Sequence, residues 1–338
     1  MNSSSSEALL LEDDPSILWS EEMVGIIYLV LSVFILIFNL IIQFKMLLKI
    51  NKALSRAYNT IQVISRHHDL NAPAYRIMLH LGICCWLQVF VHAFGGIFAI
   101  AHSTFHPWLV KVLGGVLNSA WVASIAFTLL LAFNRFVFVC LPLKAKIYFS
   151  RAKLSAMIFA LWLWPFGLFF AAYLTPFTSM HFFVHEFRWA HDGAPWSPIA
   201  EDCEVFSIIL MILLCAVCYV PVFYKLIMMN KRLFAGRAAS ISERRVLFQG
   251  MSIFGYNFLL MFAFGAHKFL FHETRWTFFG VNVLWILNAA INPVLYLVFN
   301  RTVRKPFVQL LLCRCPEANK VCVVAVSSTR TNQTVAPT

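Results

Sequence analysis

The sequence predicts an all-α membrane protein: a seven-transmembrane helix bundle with a short amphipathic helix after the seventh span. Three observations predict it. Of 338 residues, 60% are hydrophobic and 12% charged, whereas soluble domains run at about 45–50% and about 25%. Seven apolar segments each reach the roughly 20 residues that cross a bilayer. The Lys and Arg gather in alternate connections, and so on one side, as the positive-inside bias requires.

Residues 1–22 carry Glu7, Glu12, Asp13, Asp14, Glu21 and Glu22 without Lys or Arg. They lack the basic n-region and short apolar core of a cleavable signal peptide, and are expected to form an extracellular N-terminus. Asn2-Ser3-Ser4 is a glycosylation sequon if that end is luminal. The bundle occupies 23–299, with spans at 23–48, 73–101, 108–140, 154–176, 205–229, 246–271 and 276–299. The third and sixth are the least apolar, because of their Gly, Asn and His. Basic residues gather in the first, third and fifth connections (Lys49, Lys52, Arg56, Arg66; Lys144, Lys146, Arg151, Lys153; Lys231, Arg232, Arg237, Arg244, Arg245) and in the tail. The opposite side offers little beyond Arg188 and Arg275. The N-terminus is therefore expected outside and the C-terminus in the cytoplasm, in a multi-pass plasma-membrane protein.

The fourth connection, 177–204, is polar and aromatic and long enough to fold over a pocket mouth. Residues 300–315 read as an amphipathic cytoplasmic helix: Phe307, Leu310 and Leu311 toward lipid, Arg304 and Lys305 at anionic headgroups. Cys313 and Cys315 there are candidate palmitoylation sites. The segment 316–338, rich in Ser and Thr, is expected to be a disordered cytoplasmic tail.

Several function classes are disfavoured. The net charge of +12 is spread over short loop clusters, so it describes membrane orientation and not a nucleic-acid surface. The nine cysteines form no disulfide framework and no paired CxxC zinc pattern. The eleven histidines make no HExxH, and neither a GxSxG elbow nor a phosphate loop is present. His67-His68-Asp69 reads as a solvated loop. No enzyme, cofactor or metal is therefore expected. All fifteen acids fall in termini or connections under these boundaries, which argues against an ion-coupled transporter. A small-solute transporter or channel subunit is the competing reading.

Arg135, in Leu131-Ala132-Phe133-Asn134-Arg135-Phe136, sits at the cytoplasmic end of the third span. The seventh span ends Asn288-Ala289-Ala290-Ile291-Asn292-Pro293-Val294-Leu295-Tyr296, with a proline that frees backbone groups inside the helix. Together with the topology these segments resemble the rhodopsin-like G-protein-coupled receptors. Asn292-Pro293-Val294-Leu295-Tyr296 matches that family's NPxxY motif, and Asn134-Arg135-Phe136 matches its DRY motif at the arginine. Asn39 fits the first-span asparagine, and Trp162 or Trp164 the fourth-span tryptophan. The resemblance covers about residues 23–315. Within it, Tyr75-Arg76-Ile77-Met78-Leu79-His80-Leu81-Gly82-Ile83 and the glycine-rich third span with Trp121 look like the nematode serpentine chemoreceptors, nearest the T class.

The resemblance implies a chemosensory receptor that binds a small molecule between the spans and signals through a heterotrimeric G protein. Arg135 would contact the G-protein tail, Tyr296 would swing inward, and Asn292 and Pro293 would belong to the same switch. Asn134 in place of an acid removes a resting-state partner of Arg135, so raised basal activity is expected. Counting back from the motifs places Asn118, Trp121, Phe258, Phe262, His267, Asn282 and Trp285 in the pocket. That aromatic cleft with amides and no charge suits a neutral, fairly apolar ligand. The family's second-span aspartate is replaced by Cys85, which leaves no acid for a sodium site. Cys203 lacks the family's third-span partner. No Lys lies in the seventh span for a retinal Schiff base.

Overall fold

Backbone N–H and C=O groups find no water in lipid, so long apolar runs fold into helices that satisfy their own. A computed structural model describes residues 15–59, 72–231, 241–270 and 274–299. It contains helices α1 (Pro15–Asn59), α2 (Ala72–Ile100), α3 (Pro107–Cys140), α4 (Arg151–Trp164), α5 (Ser197–Lys231), α6 (Ile241–Leu270) and α7 (Arg275–Phe299). A hairpin of β1 (Met180–Phe183) and β2 (Arg188–His191) lies over one end. Among the described residues, six helices are long and apolar enough to cross a membrane. The apolar part of α6, Gly250–Gly265, is shorter. The segments at 1–14 and 300–338, with Asn2, Cys313 and Cys315, lie outside the described residues.

Two helix starts differ from the sequence expectation by about two turns, and α1 also runs on to Asn59 where 48 was expected. Helix α1 starts at Pro15, where the fixed φ of proline suits a first turn. Residues 15–22, expected in an outer tail, are therefore helical. Helix α5 starts at Ser197, two turns earlier than expected, again with a proline in its first turn. This shift brings Glu204 into the helix.

The core forms around α3, whose apolar window is 72% buried, whereas that of α4 is 17% buried. Gly114, Gly115, Ser119, Ala120, Ala123, Ser124 and Ala126 on α3 let neighbours approach closely. Helix α3 is opened by His106, whose Nδ1 accepts the Trp108 N–H at 3.2 Å, with Pro107 at the first position. The α4 span changes to a π turn at Pro165–Phe169 and finishes with an α turn at Phe170–Tyr173. Proline supplies no N–H, and the wider turn accommodates its ring. Of the two candidate fourth-span tryptophans, Trp162 donates Nε1–H to His80 Nδ1 at 3.1 Å, tying α4 to α2. Asn39 donates to the Ala289 carbonyl at 3.1 Å, tying α1 to α7.

Helices α1 and α2 meet backbone to backbone. A Cβ on Gly96 would lie 2.7 Å from both the Gly25 carbonyl oxygen and the Leu29 nitrogen. Neither atom can turn away as a side chain would. Gly96→Val is expected to cost about 2–3 kcal/mol by forcing the helices apart, read as a lower Tm of the purified protein.

The hairpin pairs antiparallel with Phe182 opposite Trp189, and both rings are buried against Phe98 of α2. A Cβ on Gly114 would collide with the Met180 carbonyl, so the first strand rests directly on α3. Asp192 braces the far side. It accepts from Ser197 Oγ at 2.6 Å, from the Ala194 N–H at 3.1 Å, and from Ser179 Oγ. Burial pushes its carboxyl up, but these bonds outweigh it and hold the pKa below the ordinary 3.8. A depressed carboxyl stabilises above its unfolded value and loses that contribution as pH falls through the folded one. Hairpin amide exchange is therefore expected to accelerate only below about pH 4, and Asp192→Asn is expected to flatten that acid dependence.

Candidate functional site

Trp285 of α7 is the hub of the bundle interior. Its ring meets Trp121 of α3 at 5.7 Å, His92 of α2 at 5.1 Å and Phe264 of α6 at 5.4 Å, all edge to face. Its Nε1–H donates to Gln88 Oε1 at 3.0 Å, and Gln88 in turn donates to the Ala120 carbonyl of α3 at 3.3 Å. One indole thus touches three other helices. His92 is 1% exposed, and neither ring nitrogen has a hydrogen-bond partner among the described residues.

Nearer the hairpin, a polar cluster joins α3, the end of the fourth span, β2 and α5. Asn118 Nδ2 donates to Glu204 Oε2 at 2.6 Å and to the Tyr173 hydroxyl. Tyr173 Oη lies 2.8 Å from His191 Nε2, and that nitrogen lies 3.7 Å from Glu204 Oε2. His191 Nδ1 is 4.0 Å from Glu201. Burial pushes the His191 imidazole below its ordinary value, against the pull of Glu201 and Asp192. The expectation that no acid stands within the spans is corrected here. Glu204 is only 12% exposed inside the bundle, because α5 begins two turns earlier than its apolar run.

The hairpin tip enters the bundle. Phe187 adopts φ 57°, in the left-handed region, and is fully buried. Its carbonyl accepts from Tyr28 Oη at 2.9 Å and from Asn282 Nδ2 at 3.4 Å, so α1 and α7 both grip it. Beside it, Glu21 of α1 is 1% exposed, and its two oxygens lie 2.7 Å from His102 Nδ1 and His185 Nδ1. These imidazoles line an open cleft of about 400 Å³ with Phe182, Phe183 and Glu186.

At the opposite end, Asn134 is fully buried and neither amide atom finds a hydrogen-bond partner among the described residues. Arg135 is 5% exposed, and Phe136 packs partly buried between α3 and its neighbours. Pro293 is buried within α7. The side chains of His267, Asn292 and Tyr296 lie outside the described residues. Between these regions a void of about 10 Å³ is lined by Leu81, Cys85, Ser124, Ile253, Asn257, Asn288 and Ile291, with no carboxylate in that lining.

Of the expected pocket residues, the structure brings Trp121 and Trp285 together, and places Asn118 and Asn282 in the layer above. Phe258 and Phe262 are corrected: each is 55% exposed on the outer side of α6. The inward stripe runs through Ile253, Asn257, Leu260 and Phe264. Asn257 donates to Thr128 Oγ1 at 3.4 Å, and a buried amide needs such a partner whereas phenylalanine is content in lipid. Sequence reasoning missed Glu204, Tyr173 and His191. The Ser197-Pro198 start was the available signal for Glu204; a histidine in a hairpin carried none.

No curated protein matches the chain. The profile of the serpentine type 7TM GPCR chemoreceptor Srt family matches residues 16–320, which takes in every helix of the bundle from its second residue on. With one helix bundle capped by a hairpin and one profile over nearly its whole length, the chain belongs to the Srt family of nematode serpentine chemoreceptors.

Proposed function

We propose that this chain is a plasma-membrane receptor, N-terminus outside and C-terminus in the cytoplasm, that detects a small organic molecule and signals through a heterotrimeric G protein. The observation that carries the reading is Trp285: one indole contacts α2, α3 and α6 beneath the hairpin. A ligand that displaces this ring moves contacts on three helices at once, the kind of packed two-state element that transmits binding to a distant end. Asn134 and Arg135 stand at that end, within the segment that resembles the DRY motif. Trp121, Trp285, Asn118 and Asn282 are the proposed ligand-side residues, while Phe258 and Phe262 face outward and are not. The neutrality expected of the ligand rested on acid-free spans, and Glu204 removes that premise.

The test is co-purification of the detergent-solubilised protein with heterotrimeric G proteins, with and without GTP, beside Arg135→Ala. A GTP-reversible complex lost in the variant supports the reading. Absence of any complex with every G-protein class, combined with solute flux in proteoliposomes, overturns it in favour of a transporter.

A further inference from the structure

Glu204 is a carboxylate drawn into a bundle of low polarity, and such a charge is costly unless a counter-charge meets it. Among the described residues no Lys or Arg pairs with it; its polar neighbours are Asn118, His191 and, one turn away, Glu201. His191 does not supply the missing charge. Its imidazole is pushed below its ordinary value by burial, and its Nε2 faces the Tyr173 hydroxyl at 2.8 Å. Asn118 adds a second, independent feature. It is fully buried, its Nδ2 is spent on Glu204 and Tyr173, and its Oδ1 has no hydrogen-bond partner.

Asn118 Oδ1 thus lacks a donor, and the Glu204 carboxyl beside it, which accepts from Asn118 Nδ2, has no Lys or Arg partner among the described residues. We propose that Glu204 and Asn118 form a capture site for the ammonium group of a small organic amine. An ammonium brings three N–H donors and one positive charge: one bond goes to Glu204, one to Asn118 Oδ1, and the charge answers the carboxylate. A bare divalent cation fits less well, since a single carboxylate and an amide oxygen supply too few ligands, and no metal-holding group of His, Cys, Asp and Glu occurs among the described residues. Approach is from the hairpin end, where Glu201 is 55% exposed and where Glu204 and His191 retain 12% and 11% exposure. One helical turn inward, Trp121 and Ile208 are buried and apolar. They offer a floor for the organic part of the ligand. This inference rests on the receptor reading above and names the ligand class of its site.

The test uses the full chain in lipid nanodiscs and three probe pairs: benzylamine and benzyl alcohol, 2-phenylethylamine and 2-phenylethanol, isobutylamine and isobutanol. At saturating amine the wild type is expected to gain about 2–4 °C in Tm over the matching alcohol for at least one pair. Glu204→Gln, which keeps size and hydrogen bonding, is expected to lose that difference while still unfolding cooperatively. The amine–alcohol comparison needs no variant, so it decides even if Glu204→Gln does not fold. Equal shifts for amine and alcohol in all three pairs, or an undiminished amine shift in folded Glu204→Gln, overturns the capture site. G-protein nucleotide exchange is read on the same discs. An amine-specific shift without exchange keeps the capture site and counts against the receptor reading, whereas exchange together with equal amine and alcohol shifts in every pair keeps the receptor reading and overturns the capture site.

Discussion

Phe187→Ala is expected to destabilise the protein by about 3–4 kcal/mol, because it empties a fully buried site at the centre of the hairpin end. The ring is enclosed by α1, α7 and the hairpin, with Arg275 of α7 over one face at 5.9 Å and Trp276 at 5.9 Å. Truncation leaves the backbone in the same left-handed turn, so the Tyr28 and Asn282 bonds to the Phe187 carbonyl can persist around a void. The loss is therefore one of packing and not of hydrogen bonding. Tyr28→Phe, which removes only one such bond, is expected to cost about 1 kcal/mol. Thermal unfolding of both variants beside the wild type separates the two contributions. Equal losses would show that the tip is held by its carbonyl and that the ring is incidental.

Asn134→Asp is expected to lower basal G-protein nucleotide exchange about 5–10-fold, on the proposed receptor function. The wild-type amide is fully buried and finds no hydrogen-bond partner among the described residues, so the position holds a polar group that gains little from the resting arrangement. A carboxylate there can accept from the adjacent guanidinium, and a charge-assisted pair of this kind stabilises the state in which Arg135 stays folded against α3. Exchange measured in reconstituted discs without ligand reports the shift directly. Unchanged exchange in a well-folded Asn134→Asp protein would remove Asn134 as a determinant of the resting state.

Hydropathy and the placement of Lys and Arg were enough to read the helix count, because lipid imposes a single length and one backbone solution on every span. The helix ends were less legible. Apolar content starts a span at Met23 and Val205, whereas proline in the first turn starts α1 at Pro15 and α5 at Ser197. Those two differences hid the most consequential acids, Glu21 and Glu204, which composition assigned to the tail and the loop. Facing directions on α6 failed for another reason. In a soluble helix Phe258 and Phe262 would mark the inner face, but in a bilayer the outer face is apolar as well, and only polar residues such as Asn257 report which side is in. Trp121 and Trp285 could be placed on the inner side because each lies at a fixed distance from a recognisable motif, and their rings meet in the bundle interior. The hairpin and its buried tip depend on strand register and on Gly114 giving way to the Met180 carbonyl, neither of which hydropathy encodes.

The fastening of that hairpin has a chemical consequence. Cys203 is free among the described residues, and one of the ties on the hairpin is a carboxylate shared between two imidazoles, Glu21 with His102 and His185. Such a clasp is indifferent to thiols: reductants that open covalently bridged lids should leave this one shut. A histidine-acylating reagent such as diethyl pyrocarbonate should break that tie while the Phe187 and Asp192 contacts remain, with His185, 64% exposed, reacting first. The hairpin end is thus fastened in part by contacts that a reagent at imidazole reaches and a reductant does not.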